Sequence, residues 1–341
     1  MKVKSALITG ITGMVGSHLA DYLLDNTDWD VYGMCRWRSP LDNIEHLIPR
    51  INEKDRVFLQ YADLGDTVSI KRVVENSEPD YIFHLAAQSY PKTSFSSPID
   101  TFDTNILGTA RLLEVVREMR DKRIIDPVIH VCSSSEVFGR VPKENVPINE
   151  ENKFHPASPY AISKAGTDLV GRYYGEAYGL KTVTTRMFTH TGPRRGDVFA
   201  ESTFAKQIAM IEEELLPPVI MVGNLDSMRT WADVRDAVRA YYLLVTTDPE
   251  PGQYYNIGGA YSCTVKDMLN YLISISKKSS ITIKVDPERL RPVDADLQIP
   301  DVTKFKKKTG WEPKIPFEKT MQDLLDYWRY QIAKGKIFLQ R

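Results

Sequence analysis

Cysteine is scarce: Cys35, Cys132 and Cys263 are the only three in 341 residues. They have no metal-ligand spacing and form no even set. No disulfide framework and no metal site is expected, and a reducing, cytoplasmic compartment fits. Long apolar runs are missing too. None reaches the roughly 18 residues of a membrane span, and no charged-then-apolar leader precedes the first apolar segment. A soluble, unprocessed protein with no membrane partner is expected. Charge of one sign is also lacking: 44 Lys and Arg stand against 45 Asp and Glu, for a formal net charge of -1. No nucleic-acid partner is implied, and Lys306-Lys307-Lys308 reads as a solvated helix end. Internal repeats and low-complexity tracts are absent, which excludes solenoid arrays. What remains is ordinary globular composition, 42% hydrophobic and 26% charged, in a chain long enough for one large or two modest domains.

The chain opens on an apolar run, Ser5-Ala6-Leu7-Ile8-Thr9, that ends at Gly10. Gly10, Gly13 and Gly16 follow at three-residue spacing, with Thr12, Met14 and Val15 between them, and then Leu19, Leu23 and Leu24 at helical spacing. Strand, glycine turn and helix together form the setting of a dinucleotide-binding loop. The glycines allow a tight turn and let backbone N–H groups approach a pyrophosphate. Val31–Cys35 reads as the second strand. An acid that would hold a ribose 2′-hydroxyl is replaced there by Arg36, with Arg38 nearby, so a 2′-phosphate is favoured: NADP rather than NAD. Val57–Tyr61 is a third strand leading to Asp63 and Leu64, where the carboxylate can accept from an adenine amine. Asp80–Ala87 reads as a fourth strand whose small residues at Leu85-Ala86-Ala87 let backbone lie against the cofactor. His84 within it reads as a core histidine. Thr101–Arg117 reads as one long amphipathic helix, with Asn105 as a polar residue in its buried pattern.

Val128–Cys132 is a fifth strand that delivers Ser133-Ser134-Ser135-Glu136 at its carboxyl end, the edge where open parallel sheets bind ligands. Tyr160 and Lys164 follow four apart on a helix and share a face. An ammonium near a phenol favours the phenolate, and Ser134 can donate to the same substrate oxygen. Such a set can take a proton from an alcohol as hydride leaves. Glu136 adds a second acid/base, so the chemistry extends beyond simple oxidation.

Gly10-x-x-Gly13-x-x-Gly16, Leu85-Ala86-Ala87, Ser134 and Tyr160-x-x-x-Lys164 together resemble the extended short-chain dehydrogenase/reductases. Within that superfamily the chain is most similar to the GDP-mannose 4,6-dehydratases and their relatives on GDP-sugars. The resemblance is carried by Ser133–Gly139, Ser158-Pro159-Tyr160-Ala161, Pro193-Arg194-Arg195-Gly196, Gly223–Asp226 with Arg229 and Trp231, and Arg291–Asp296. It implies that Ser134 stands where the family has a catalytic Thr, that Glu136 is the dehydration acid/base, and that Tyr160 and Lys164 complete the set. It implies that Arg229, Arg291 and Asp294 grip GDP, joined by Lys206, with Ser89 and Thr189 as further substrate contacts. His190 and Arg195 are implied at the cofactor, with the Arg194–Arg195 loop reaching a neighbouring subunit. Self-association as a dimer or tetramer follows, pairing through helices near 101–117 and 160–178. The chain departs from the family at Thr189, where Asn is frequent. Gln88-Ser89-Tyr90 and Ala205–Ile208 also resemble GDP-4-keto-6-deoxymannose reductases, so a reductase or epimerase on a GDP-sugar stays open. The expected architecture is α/β: a Rossmann-type, doubly wound parallel sheet over 1–186, to which 231–258 returns. A smaller mixed α/β substrate domain is expected from 187–230 and 259–341.

Overall fold

The computed structural model describes residues 3–289 and 296–335. Seven strands form one parallel sheet: β1 (Ser5–Thr9), β2 (Asp30–Cys35), β3 (Val57–Tyr61), β4 (Tyr81–His84), β5 (Val128–Cys132), β6 (Lys181–Met187) and, from later in the chain, Gln253–Ile257. The last of these pairs with β6, so the sheet runs from it through β6, β5, β4, β1 and β2 to β3. All five β1 residues are buried, as expected of a strand covered on both faces. The order reverses beside β1, whose neighbours are β2 and β4. That reversal opens a crevice at the carboxyl edge.

Helices cover both faces. α1 (Met14–Asn26) packs on one of them. α2 is the short helix Ile48–Glu53 in the polar excursion after β2, and α3 (Thr67–Ser77) starts where the Asp66 side chain accepts from the N–H groups of Val68 and Ser69. The expected helix over Thr101–Arg117 is interrupted. After α4 (Pro91–Ser96), the chain forms α5 (Pro98–Phe102), a π turn at Asp103–Leu107, and α6 (Gly108–Asp121). The Asn105 carbonyl accepts from the hydroxyls of Thr109 at 2.6 Å and Thr167 at 2.8 Å, and these competing donors accompany the widened turn. The fourth strand also ends earlier than expected, at His84. Beyond it, Leu85 and Ala86 donate their N–H groups to Thr9 Oγ1, each at 3.1 Å, instead of to a ladder.

α7 (Pro159–Tyr178) is capped by Ser158, whose side chain accepts from Ala161 N–H, with Pro159 in its first turn; Gly179 ends it in the left-handed region at φ +64. The rest of the chain builds a second layer. β7 (His190–Thr191) leads to α8 (Ala200–Glu212), in a stretch whose loops hide the helix from sequence periodicity. Then come β8 (Val219–Val222), β9 (Met228–Asp233) and α9 (Val234–Thr246), which packs back on the large sheet beside α1. Gln253–Ile257 is β10, followed by β11 (Tyr261–Thr264), α10 (Val265–Ser274), β12 (Thr282–Val285) and β13 (Leu297–Gln298). α11 (Thr303–Thr309) and α12 (Phe317–Ala333) close the described chain. β9 lies between β11 and β13 and also pairs with β7, while α8, α10 and α12 supply an apolar core of their own around Met268, Leu269 and Leu324.

Two histidines are sealed in the large sheet. His84 sits between Thr9 and Thr109, each at 3.0 Å, and His130 bonds Thr185 at 2.8 Å. Burial lowers each to about 3. Both stay neutral in the fold but take up protons below about 6.5 once unfolded. Stability is therefore fully present above that pH and is lost as pH falls through the window below it. The two together are expected to remove about 2–3 kcal/mol between pH 6 and pH 5. Urea midpoints at the two pH values check this, and equal midpoints would contradict it.

Candidate active site

The glycine turn is built for close backbone approach. Gly10 has φ +76, and a Cβ there would lie 3.0 Å from the Ala86 backbone. A Cβ on Gly16 would sit 2.3 Å from the Gly10 carbonyl oxygen. α1 begins at Gly13 without a side-chain cap, so its first N–H groups face the turn. This cradle fits a dinucleotide pyrophosphate. The Thr12 carbonyl is held by the Asn43 side chain at 3.0 Å, and Met14 and Val15 open the helix. The chain from Thr9 through His84 and Thr109 to the Asn105 carbonyl ties this turn to Leu85, Ala86 and the π turn. Ala87 continues the same loop. At the carboxyl end of β2, Arg36 and Arg38 are both exposed beside Trp37, whose ring meets Tyr61 edge-on at 4.9 Å. Asp63 is exposed after β3 and accepts from Gly65 N–H at 2.9 Å; Leu64 is buried behind it.

Ser134, Glu136, Tyr160 and Lys164 come together where β5 ends and α7 begins. Ser134 caps a single 3-10 turn, its hydroxyl accepting from Glu136 N–H at 3.2 Å, and it lies near enough to the Tyr160 phenol to favour its ionisation. Glu136 is half-buried and close enough that its charge opposes ionisation of Tyr160. The turn closes at Gly139, at φ +55, where a Cβ would overlap the His155 carbonyl oxygen at 1.7 Å. No other residue fits that backbone. Ser133 donates to the Lys164 carbonyl at 3.1 Å, and Asn105 donates to Ser163 at 2.8 Å, so the first turns of α7 are pinned from two sides.

The electrostatics correct one expectation. Lys164 is not paired with the phenol: its ammonium donates to the Cys132 carbonyl at 2.8 Å. Burial is the largest influence on Tyr160 and pushes the phenol well above its ordinary value. Ser134 and the Arg195 charge oppose that rise, and Cys132 and Glu136 add to it. Burial likewise lowers Lys164. In the protein alone both groups are thus driven towards their neutral forms.

Arg194 and Arg195 lie in the loop between β7 and α8. Both find partners within their own chain: Arg194 bonds Asp21 on α1 at 2.7 Å, while Arg195 bonds Glu201 at 3.0 Å and lies over the Phe199 ring. A carboxylate thus lies within reach of each. His190 bonds the Phe188 carbonyl at 3.1 Å and is lowered to about 4, first by burial and then by Arg195. The Thr189 carbonyl accepts from Ala232 N–H at 2.9 Å. Lys206, on α8, bonds Asp197 at 2.8 Å, and Arg229 lies on β9. Ser89 is exposed on the loop after β4. Arg291 and Asp294 lie outside the described residues. Missing from the sequence reading were Ser133 and the Cys132 carbonyl, which fix Lys164. Their only signal was position next to Ser134.

A seven-stranded parallel sheet, a glycine cradle at its reversal and a tyrosine–lysine pair at the same edge define an extended short-chain dehydrogenase/reductase. Solved structures agree. RMD from Pseudomonas aeruginosa, complexed with NADPH, superposes with a TM-score of 0.81 at 26% identity, covering 96% of this chain and 100% of that one. UDP-glucose 4-epimerase from Thermotoga maritima does so at 0.83 and 26%, covering 96% and 99%. A family profile described as GDP-mannose 4,6 dehydratase matches residues 7–324. A protein named GDP-mannose 4,6-dehydratase from Yersinia enterocolitica is 32% identical over 95% of this chain and 93% of its own length. GDP-mannose 4,6 dehydratase 1 from Arabidopsis thaliana is 33% identical over 95% and 89%. The chain belongs to the GDP-mannose 4,6-dehydratase family.

Proposed function

We propose that the protein converts GDP-mannose, or a closely related GDP-hexose or GDP-heptose, into its 4-keto-6-deoxy derivative with loss of one water. The observation that carries this reading is the meeting of Glu136 with Tyr160 and Ser134 at one sheet edge. An alcohol oxidation needs only the latter two with Lys164. The extra carboxylate matches a chemistry that also removes a proton from carbon.

A nicotinamide dinucleotide held at the glycine turn would supply the acceptor and later donor of hydride and, in its oxidised form, a positive charge. Ser134 and Tyr160 contact the sugar's 4-oxygen, and Tyr160 takes the hydroxyl proton. Lys164, released from the Cys132 carbonyl, stabilises the phenolate. The resulting 4-ketone acidifies the C5 proton. Glu136 removes that proton and returns it to the departing 6-hydroxyl, so water leaves across C5–C6; C6 then regains the hydride and C5 takes the proton held on Tyr160, after its exchange with solvent. Incubation with GDP-mannose and no added reductant tests this: a product lighter by one water is expected. Unchanged substrate, or oxidised cofactor formed in step with product, contradicts it.

NADP is the proposed cofactor, supported by exposed Arg36 and Arg38 at the end of β2, where an acid would repel a 2′-phosphate. Arg36→Ala is expected to weaken NADP binding by roughly ten- to hundredfold and leave NAD binding nearly unchanged. Fluorescence titration with both dinucleotides reads the difference. Self-association is supported by Ile99, Leu107, Ile162, Leu169 and Tyr173, which are exposed apolar residues along α5, the π turn and α7. A single-chain mass by light scattering would contradict it. Among the described residues no helix is long and apolar enough to cross a membrane.

A further inference from the structure

We propose that the indole of Trp37 is the platform on which the adenine of the dinucleotide stacks. The proposal rests on a dinucleotide at the glycine turn, and it holds for NAD and NADP alike because both carry adenine. Trp37 is 77% exposed, more than any other aromatic side chain among the described residues, whereas Trp29, Trp231, Trp311 and Trp328 are all buried. An indole left in water forfeits the large apolar area that normally draws it inside. The backbone holds it there. The Arg36 carbonyl accepts from Ser39 N–H at 3.0 Å, so Trp37 and Arg38 occupy the middle of a tight turn just after β2. The ring is braced by Tyr61, whose plane meets it at 71° with centroids 4.9 Å apart. One edge-on contact cannot cover both faces of an indole.

Its position points to the adenine. The chain on both sides of Trp37 is tied to the phosphate cradle: Gly10 N–H donates to the Met34 carbonyl at 2.8 Å, and the Asn43 side chain donates to the Thr12 carbonyl at 3.0 Å. β2 pairs with β3 through Cys35 and Tyr61, and exposed Asp63 follows two residues later. An adenosine joined to a pyrophosphate at the start of α1 extends over these strand ends, with Trp37 after β2 and Asp63 after β3. A purine stacks on an indole through its face, which needs no hydrogen bond and leaves the amine free for Asp63. Arg36 and Arg38, both exposed, flank the ring with positive charge. That surrounding suits an aromatic ligand that carries phosphate. A protein partner covering the ring would have to pair or bury both guanidinium groups.

The test is tryptophan emission, because Trp37 alone of the five tryptophans stands in water. Iodide is expected to quench part of the wild-type emission. NADP or NAD should quench that same part and shield it from iodide, and so should the adenine half alone, as 2′,5′-ADP or ADP. Nicotinamide mononucleotide should not. Trp37→Phe keeps an aromatic face, so it should bind the dinucleotide nearly as well by calorimetry while losing the ligand-dependent change in emission. Trp37→Ala should melt at the wild-type temperature and bind the dinucleotide and its adenine half roughly tenfold more weakly. Wild-type affinity in Trp37→Ala overturns the proposal. So does calorimetric binding of a dinucleotide that leaves emission and iodide access unchanged. Emission shielded without ligand and opened by dilution also overturns it, by placing the ring between subunits. A wild type that binds neither dinucleotide by calorimetry overturns the cofactor reading on which the proposal rests.

Discussion

Glu136→Gln is expected to abolish water loss while leaving the cofactor bound. The substitution keeps shape and removes the carboxylate, and positioned acid/base groups typically contribute about 10²–10⁴-fold. The side chain is half-buried, and its backbone N–H is already held by Ser134, so the turn should keep its geometry. Two readouts isolate the role. Product lighter by one water should drop by that factor. Solvent deuterium, which wild type should place at C5 of the sugar, should no longer enter there. Normal exchange at C5 with the variant would assign the proton to another group.

Tyr160→Phe is expected to fail one step earlier. Without the phenol nothing takes the 4-hydroxyl proton, and turnover should fall by about 10²–10⁴-fold with neither oxidation nor exchange at C5. Phenylalanine fills the same buried space, and the change removes a group that burial had made hard to ionise. The fold should hold, with the melting temperature close to that of wild type. The two variants thus divide the reaction: Glu136→Gln still oxidises C4, whereas Tyr160→Phe does not. Loss of nicotinamide reduction in both would merge the roles and contradict the assignment. The upward push on Tyr160 in the protein alone also bears on pH. Folding alone holds the phenol neutral well past its ordinary range, so phenolate at working pH depends on Lys164 and the bound cofactor.

The sheet was legible because parallel strands buried on both faces read as short apolar runs, and Ser5–Thr9 and Val128–Cys132 are such runs. The glycine cradle was legible because its backbone tolerates no side chain. The π turn was not. It is accompanied by two threonine hydroxyls on the Asn105 carbonyl, one of them 62 residues away on α7. A period of 3.6 carries no trace of such a contact. α8 was hidden for a related reason: nine of its thirteen residues are buried, Lys206 and Glu201 among them, so no polar face marks its period. At the site, residue types gave the chemistry but not the pairing. Spacing put Lys164 on the same face as Tyr160, yet in the fold its ammonium donates to the Cys132 carbonyl. The intrachain partners of Arg194 and Arg195 lie 173 and six residues away and depend on where the loop lands.

The most direct test follows one hydrogen. GDP-mannose carrying deuterium at C4 is incubated with the protein and a trace of oxidised dinucleotide, and the product is read by mass spectrometry and NMR. If a phenol at 160 and a carboxylate at 136 act in turn on one ring, the deuterium reappears at C6 of a product lighter by one water. Deuterium lost to solvent or left at C4, with the 6-hydroxyl in place, would contradict it.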